Sequence, residues 1–182
     1  MKLYISVGIS GSGKSTYLNK LNVPVVCPDD IRKELTGDIS DQSQNQKVWF
    51  EAYRRLKEYI AKDEDVAFSA TSLGMQYMYE VDKLVLEAGN KNVELIVLWF
   101  DDSEQWMVCQ DRVKADIENG VDRSKTADVN IDGVPLIQKM SDKYKSFKTN
   151  ALHQFNQKNW HFEHIKFEHV KHNDLKEVYI VL

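Results

Sequence analysis

The sequence predicts a three-layer α/β domain built on a mainly parallel sheet of about five strands. Three observations predict it. Strand-like apolar runs alternate with helix-patterned segments along most of the 182 residues. Gly8-Ile9-Ser10-Gly11-Ser12-Gly13-Lys14-Ser15 lies between the first such run and the first helix, and fits G-x-x-x-x-G-K-[ST] without a gap. Residues 93–100 are nearly all apolar, the pattern of a strand buried on both faces, as in a parallel sheet.

Taken in order, Leu3-Tyr4-Ile5-Ser6-Val7 is apolar and β-branched, hence a buried first strand. The glycine loop follows, and residues 15–21 read as a first helix. Pro24-Val25-Val26-Cys27-Pro28 is a second short strand, ending at Asp29-Asp30. After a turn-rich segment, a helical pattern runs from about Gln42 to Lys62, with Val48, Ala52, Leu56 and Tyr59 at three- and four-residue spacing. Residues 65–71 form a third strand, and Met78, Val81, Leu84 and Val85 mark a helix that stops near Gly89-Asn90. Beyond the strand at 93–100, Trp106, Val108, Cys109 and Val113 define another helix. Residues 115–132 are polar, charged and aperiodic, too long a stretch for a simple connector, so 112–132 is a candidate lid. A helical pattern resumes over 135–147, residues 160–172 read as a polar tail beside an edge strand, and 177–182 look like a last strand. With no internal repeat, one domain spans 1–182.

Composition narrows the function classes. Hydrophobic residues make up 42% and charged residues 29%, a globular balance, and the formal charge is −4. A polyanion would therefore need a local basic patch, which argues against tight non-specific duplex binding. No apolar run reaches the length of a membrane span. Cys27 and Cys109 lack metal-ligand spacing, and a reduced, cytoplasmic protein is expected.

The loop carries the first chemical expectation. Its glycines let the backbone curl until successive N–H groups face phosphate oxygens. The following helix adds partial positive charge, Lys14 reaches the β- and γ-phosphates, and Ser15 offers Mg²⁺ a hydroxyl. The nucleotide-binding set is thus Gly8, Ser10, Gly11, Ser12, Gly13, Lys14, Ser15 and Thr16, with ATP and Mg²⁺ as the expected ligands.

Ligands in such sheets sit at the carboxyl ends of the strands. A carboxylate ending the strand beside the phosphate loop, Asp29 or Asp30, is suited to take a proton from an attacking hydroxyl. Arg32, one turn on from Asp29, would suit a phosphate already on the acceptor. The same residues equally fit a helix N-cap followed by a solvated arginine.

Gly-Ser-Gly-Lys-Ser-Thr, then a strand ending Asp29-Asp30-Ile31-Arg32, then Leu35-Thr36-Gly37-Asp38, resembles the kinase domain of phage and bacterial 5′-hydroxyl polynucleotide kinases, within the wider zeta-toxin-like P-loop kinase group. The likeness runs from residue 1 to about 147. It implies a P-loop NTPase fold that transfers the γ-phosphate of ATP to the 5′-OH end of DNA or RNA. It implies Asp29 as general base, Arg32 as the grip on the adjacent phosphate, and lid arginines that stabilise the transferring phosphoryl group. Arg112 fits the first lid position, and Arg123, with Lys125 nearby, the second.

Where those kinases carry Ser-Asp-Thr-Asn, this chain has Ser69-Ala70-Thr71-Ser72 and lacks the carboxylate that would orient the arginine. No DxDxT-type motif accompanies the kinase pattern, so no 3′-phosphatase activity is expected. Other acceptors, such as a nucleoside, a modified base in DNA, a sugar or another small metabolite, remain alternatives, as does a nucleotide-dependent switch. The five histidines, all in the last thirty or so residues, lack the partners of a metal site. Trp49 and Phe50 suit either core packing or stacking on a base, and Gln44 and Gln46 either solvent or the acceptor.

Overall fold

A computed structural model describes residues 1–122, 128–171 and 174–176. The chain forms β1 (Lys2–Val7), α1 (Lys14–Leu18), β2 (Val25–Val26), α2 (Pro28–Thr36), α3 (Asn45–Ala61), β3 (Val66–Phe68), α4 (Met75–Ala88) and β4 (Glu94–Phe100). A 3-10 turn (Asp101–Glu104) leads to α5 (Trp106–Glu118), the small hairpin β5 (Asn130–Ile131) and β6 (Val134–Pro135), α6 (Leu136–Phe155), β7 (His164–Lys171) and β8 (Asp174–Lys176).

The sheet order is β2-β3-β1-β4-β7-β8, with the first five strands parallel and β8 antiparallel to β7. The expected mainly parallel, five-stranded P-loop fold is therefore present, with a short sixth strand added at one edge. β1 lies at the centre, and the chain fills one side of it before crossing to the other. Such a reversal opens a crevice at the carboxyl ends of the strands, where the phosphate loop leaves β1.

Two readings of the sequence change. β2 is not beside β1; β3 lies between them, pairing Leu3 with Val66 on one side and Val26 with Phe68 on the other. Residues 164–171, read as part of a polar tail, form a full parallel strand against β4, in register from Glu94–His164 to Phe100–Val170. Ile165, Phe167 and Val170 are buried there, while His164, Lys166 and Glu168 break up the apolar signal. The expected last strand, residues 177–182, lies outside the described residues.

Local chemistry sets the helix ends. Pro28 occupies the first turn of α2, where its missing N–H costs nothing, and Asp29 and Asp30 complement the positive end of the helix. Gly37 closes that helix at φ 78°, with its N–H donating to the Lys33 carbonyl at 2.8 Å. Val48, Ala52, Leu56 and Ile60 form the buried stripe of α3. On α6 the stripe is Ile137, Ser141, Tyr144, Phe147, Ala151 and Phe155, so this helix runs eight residues beyond its expected end.

The main core packs α3, α4, α5 and α6 against Leu3, Ile5, Val7, Leu95, Val97, Trp99, Ile165 and Phe167. On the opposite face, Tyr17 and Leu18 of the short α1 cover Ala67, Ile96, Leu98, Phe100 and Val170. Trp49 belongs to the first layer, stacking among Tyr53, Phe68 and Tyr77, so it is a packing residue, whereas Phe50 is exposed.

Two carboxylates, Asp82 buried and Asp101 partly buried, pin the carboxyl-terminal third of the chain. Asp82 on α4 is 1% exposed and accepts hydrogen bonds from Lys158, from the His161 N–H at 2.8 Å and from the His161 ring. Burial pushes its carboxyl up, but these donors outweigh it and hold the group below its ordinary value of 3.8. A depressed folded value means that this stabilisation is complete above 3.8 and fades as pH falls through the lower folded value. Asp82→Asn should cost about 1–3 kcal/mol at neutral pH. In thermal melts the gap to wild type should narrow below about pH 4, and a gap that stays constant down to pH 2.5 would contradict this. Asp101, after β4, similarly receives Lys148 Nζ at 2.6 Å and lies 2.9 Å from His169 Nδ1. Two of the discounted histidines thus serve as partners of structural carboxylates. Among the described residues no group of three or more histidines, cysteines or acids could hold a metal ion. Nor is any described helix long and apolar enough to cross a membrane.

Candidate active site

The phosphate loop is shaped by what surrounds it. Gly8 donates its N–H to the Thr71 carbonyl at 3.1 Å, tying the loop to the end of β3. A side chain at Gly8 would meet Phe100 Cβ at 2.9 Å and Ser103 Oγ at 3.0 Å. At Gly11, φ is +80°, and an added Cβ would lie 2.2 Å from the Cys109 carbonyl oxygen. Any larger residue there would therefore have to push α5 off the loop. Ser12 is buried and its hydroxyl donates to the Ile9 carbonyl at 2.8 Å, so it acts within the loop rather than lining the crevice. Gly13, at φ 92°, turns the chain into α1.

Ser10, Gly11, Gly13, Lys14, Ser15 and Thr16 line a cavity of about 580 Å³ at the carboxyl ends of the strands. Lys14 Nζ donates to the Ile9 carbonyl at 2.8 Å, arching the ammonium over the loop. The same cavity is lined by Cys27, Asp29 and Asp30 at the start of α2, and by Ser69, Ala70 and Thr71 just after β3. Asp29 therefore shares a cavity with the phosphate loop, although its strand is not adjacent to β1. Arg112, Asp116 and Asp122 complete the rim from α5 and the residues after it.

The two aspartates of α2 differ in setting. Asp29 has a half-exposed side chain and pairs with Arg32. Asp30 is partly desolvated, and burial, reinforced by the neighbouring Asp29 charge, raises its carboxyl above the usual range. Burial also pushes the Cys27 thiol up to about 11, so it is neutral near pH 7. Neither aspartate caps the helix: the cap position is Cys27, and no side chain bonds to it.

Arg32 is not a solvated helix residue. It is 5% exposed, pairs through Nη1 with Asp29, and donates from Nη2 to Asn45 Oδ1 at 3.2 Å, while its Nε has no hydrogen-bond partner. It stands behind Asp29 rather than in the cavity wall. Asn45, at the start of α3, provides the orienting oxygen that Ala70 lacks, from a different element than the sequence comparison implied.

Arg112 sits within α5, two turns from its start, and not at a helix end as the pattern over 106–113 implied. Its Nη1 donates to Asp102 Oδ2 at 2.7 Å and to the Gly11 carbonyl at 3.2 Å, which suspends it above the phosphate loop. Arg123 and Lys125 lie outside the described residues. Within the candidate lid, residues 112–132, the described residues are the second half of α5, the turn through Asp122, and the segment from 128 that includes β5. Asp122 pairs with Lys33 of α2 at 2.8 Å, so the rim touches the Asp29 side of the crevice.

Asp102, Ser103 and Asn45 are contributors that the sequence reading passed over. The first two carried a usable signal, being the polar residues directly after the most apolar strand, at the end where ligands bind. Asn45 carried none, since its role depends on how α3 packs on α2.

The donor set suits a Mg²⁺-nucleotide. Ser15 lies beside Lys14 in the cavity wall, where its hydroxyl is a hard oxygen ligand of the kind Mg²⁺ takes together with phosphate oxygens.

Residues 3–132 match the model of a family described as an AAA domain. No curated protein matches the chain in sequence. Among solved structures it is similar to a candidate kinase from Chloroflexus aurantiacus, with a TM-score of 0.54 and 12% identity over 78% of each chain. It is also similar to a structure from the PezAT chromosomal toxin–antitoxin system of Streptococcus pneumoniae, with a TM-score of 0.51 and 14% identity over 96% of this chain and 70% of that one. At these identities the likeness is one of fold.

Proposed function

Because the chain belongs to this AAA-domain family, we propose that it is a P-loop kinase that moves the γ-phosphate of ATP to a hydroxyl group. The observation that carries the reading is that Asp29 and Lys14 line one and the same cavity. A switch protein needs the phosphate loop but has no use for a carboxylate aimed at an acceptor. Lys14 and the loop amides hold the β- and γ-phosphates, and Arg112 meets charge on the transferring group. Asp29 takes the proton of the acceptor hydroxyl as its oxygen bonds to the γ-phosphorus. The bond from that phosphorus to the β–γ bridging oxygen breaks, and its electron pair leaves on ADP. Ser15 would hold Mg²⁺, which neutralises charge on the phosphate oxygens.

For the acceptor we propose the 5′-OH end of DNA or RNA. The support is the Asp29-Asp30-Ile31-Arg32 arrangement, with Arg32 held against Asp29 and one turn from the cavity. A second reading, a small uncharged metabolite, is favoured by the burial of Arg32 and by Asp30, Asp116 and Asp122 in the lining of the cavity. Like charges there would oppose a polyanion.

Incubation with γ-labelled ATP, Mg²⁺ and 5′-OH oligonucleotides, beside nucleosides and sugars, separates these readings. Label should reach the oligonucleotide 5′ end. Label on a nucleoside or sugar alone would overturn the polynucleotide assignment and keep the kinase. Phosphate release with no acceptor labelled would overturn both.

A further inference from the structure

Between the phosphate loop and α5 stands a carboxylate to which the scheme above gives no role. Asp102 follows β4 by two residues, is 3% exposed, and accepts from Arg112 Nη1 at 2.7 Å. Its own carbonyl accepts from the Cys109 thiol at 3.2 Å, on the turn of α5 that Gly11 touches. Next to it, Ser103 Oγ accepts the Ile9 N–H at 3.1 Å, and the Ser103 carbonyl accepts from Ser141 of α6 at 2.7 Å. This two-residue junction therefore fixes the phosphate loop, the helix bearing Arg112, and α6 relative to one another.

Burying the carboxylate of an ion pair does little for stability alone, because its desolvation offsets much of the attraction. What it does well is fix the direction of a charge. Arg112 is 40% exposed and lines the cavity, so one end of its guanidinium is anchored on Asp102 and the Gly11 carbonyl while the residue still reaches the phosphate site. Swinging it away would take a cation from a carboxylate that water barely reaches.

We propose that Asp102 is a positioning residue for phosphoryl transfer, holding Arg112 in place above the phosphate loop before ATP arrives. The inference rests on the kinase reading. It makes Arg112 a preset charge, not one delivered by lid closure, and ties its placement to the same turn that shapes the loop.

The test uses Mg²⁺ with a non-hydrolysable ATP analogue or ADP, by calorimetric titration of the full chain, and so needs no acceptor. The kinase reading sets Arg112 against the γ-phosphate, so Asp102→Asn and Arg112→Ala should each weaken the ATP analogue about tenfold and ADP less than about twofold. The double variant should match Arg112→Ala alone, because Asp102 acts through that arginine. Asp102→Glu, which keeps the charge, should recover part of the loss.

A purely structural Asp102 would lower the melting temperature and weaken both nucleotides alike. It would also add its full effect in the Arg112→Ala background. Either result overturns the inference while leaving the kinase reading intact. Failure of the wild-type chain to bind either nucleotide would overturn the kinase reading, and the inference with it.

Discussion

Lys14→Met should cut phosphoryl transfer by about 100- to 1,000-fold, in line with removal of a preorganised donor from a developing negative charge. Methionine keeps the length and packing of the side chain and removes only the ammonium. In the structure that ammonium arches over the loop, 2.8 Å from the Ile9 carbonyl, within the cavity that Asp29 also lines. The scaffold of the loop is held elsewhere, by Gly8 on Thr71, Ile9 on Ser103 and Ser12 on Ile9. The melting temperature should therefore stay close to wild type while initial rates at saturating ATP collapse. A variant that turns over within about threefold of wild type would remove Lys14 from the mechanism and, with it, the central reading of the loop.

Asp29→Asn should lower transfer by about 100- to 10,000-fold, the span expected when a general base is lost. ATP binding should change by less than about twofold, since Asp29 is assigned to the acceptor hydroxyl and not to the phosphates. This residue is also the charge partner of the buried Arg32, so the substitution has a structural side. Leaving that guanidinium with Asn45 as its remaining hydrogen-bond partner among the described residues should destabilise the α2–α3 contact. Asp29→Glu separates the two effects. It restores the negative charge and should recover stability, yet it moves the carboxylate by one methylene and should leave transfer well below wild type. Parallel melts and rate measurements on the two variants check this. If Asp29→Asn keeps more than about a tenth of wild-type turnover, or loses ATP binding to the same degree as transfer, the proton-acceptor role is wrong.

The parts of the site that were legible in the sequence are those encoded by contiguous residues. The phosphate loop could be read because its chemistry lies in eight successive positions, and the structure makes the left-handed turns at Gly11 and Gly13 that the pattern requires. Asp29 could be found because ligand sites gather at strand ends. Its neighbourhood could not be found the same way. β2 contains only two residues, and its place outside β3 follows from pairings across forty residues of chain.

β7 was missed for a related reason. Its inward residues, Ile165, Phe167 and Val170, alternate with lysine, glutamate and histidine, which resemble a solvated tail when read alone. They become a strand because β4 offers seven parallel partners. The histidines that looked like loose surface groups are likewise accounted for by distant carboxylates: Asp82 meets His161 across 79 positions, and Asp101 meets His169 across 68.

By itself, then, the sequence determined the α/β class, the phosphate loop and the aspartate pair that lines the same cavity, because periodicity and short motifs act over a few residues. Tertiary structure alone decided that Arg32 is buried against Asn45, that Asp102 holds Arg112 above Gly11, and that β7 completes the parallel sheet. Each of those depends on groups far apart in the chain meeting within hydrogen-bond distance. Only packing of the sheet and its helices can fix such distances, since local backbone preference carries no information about them.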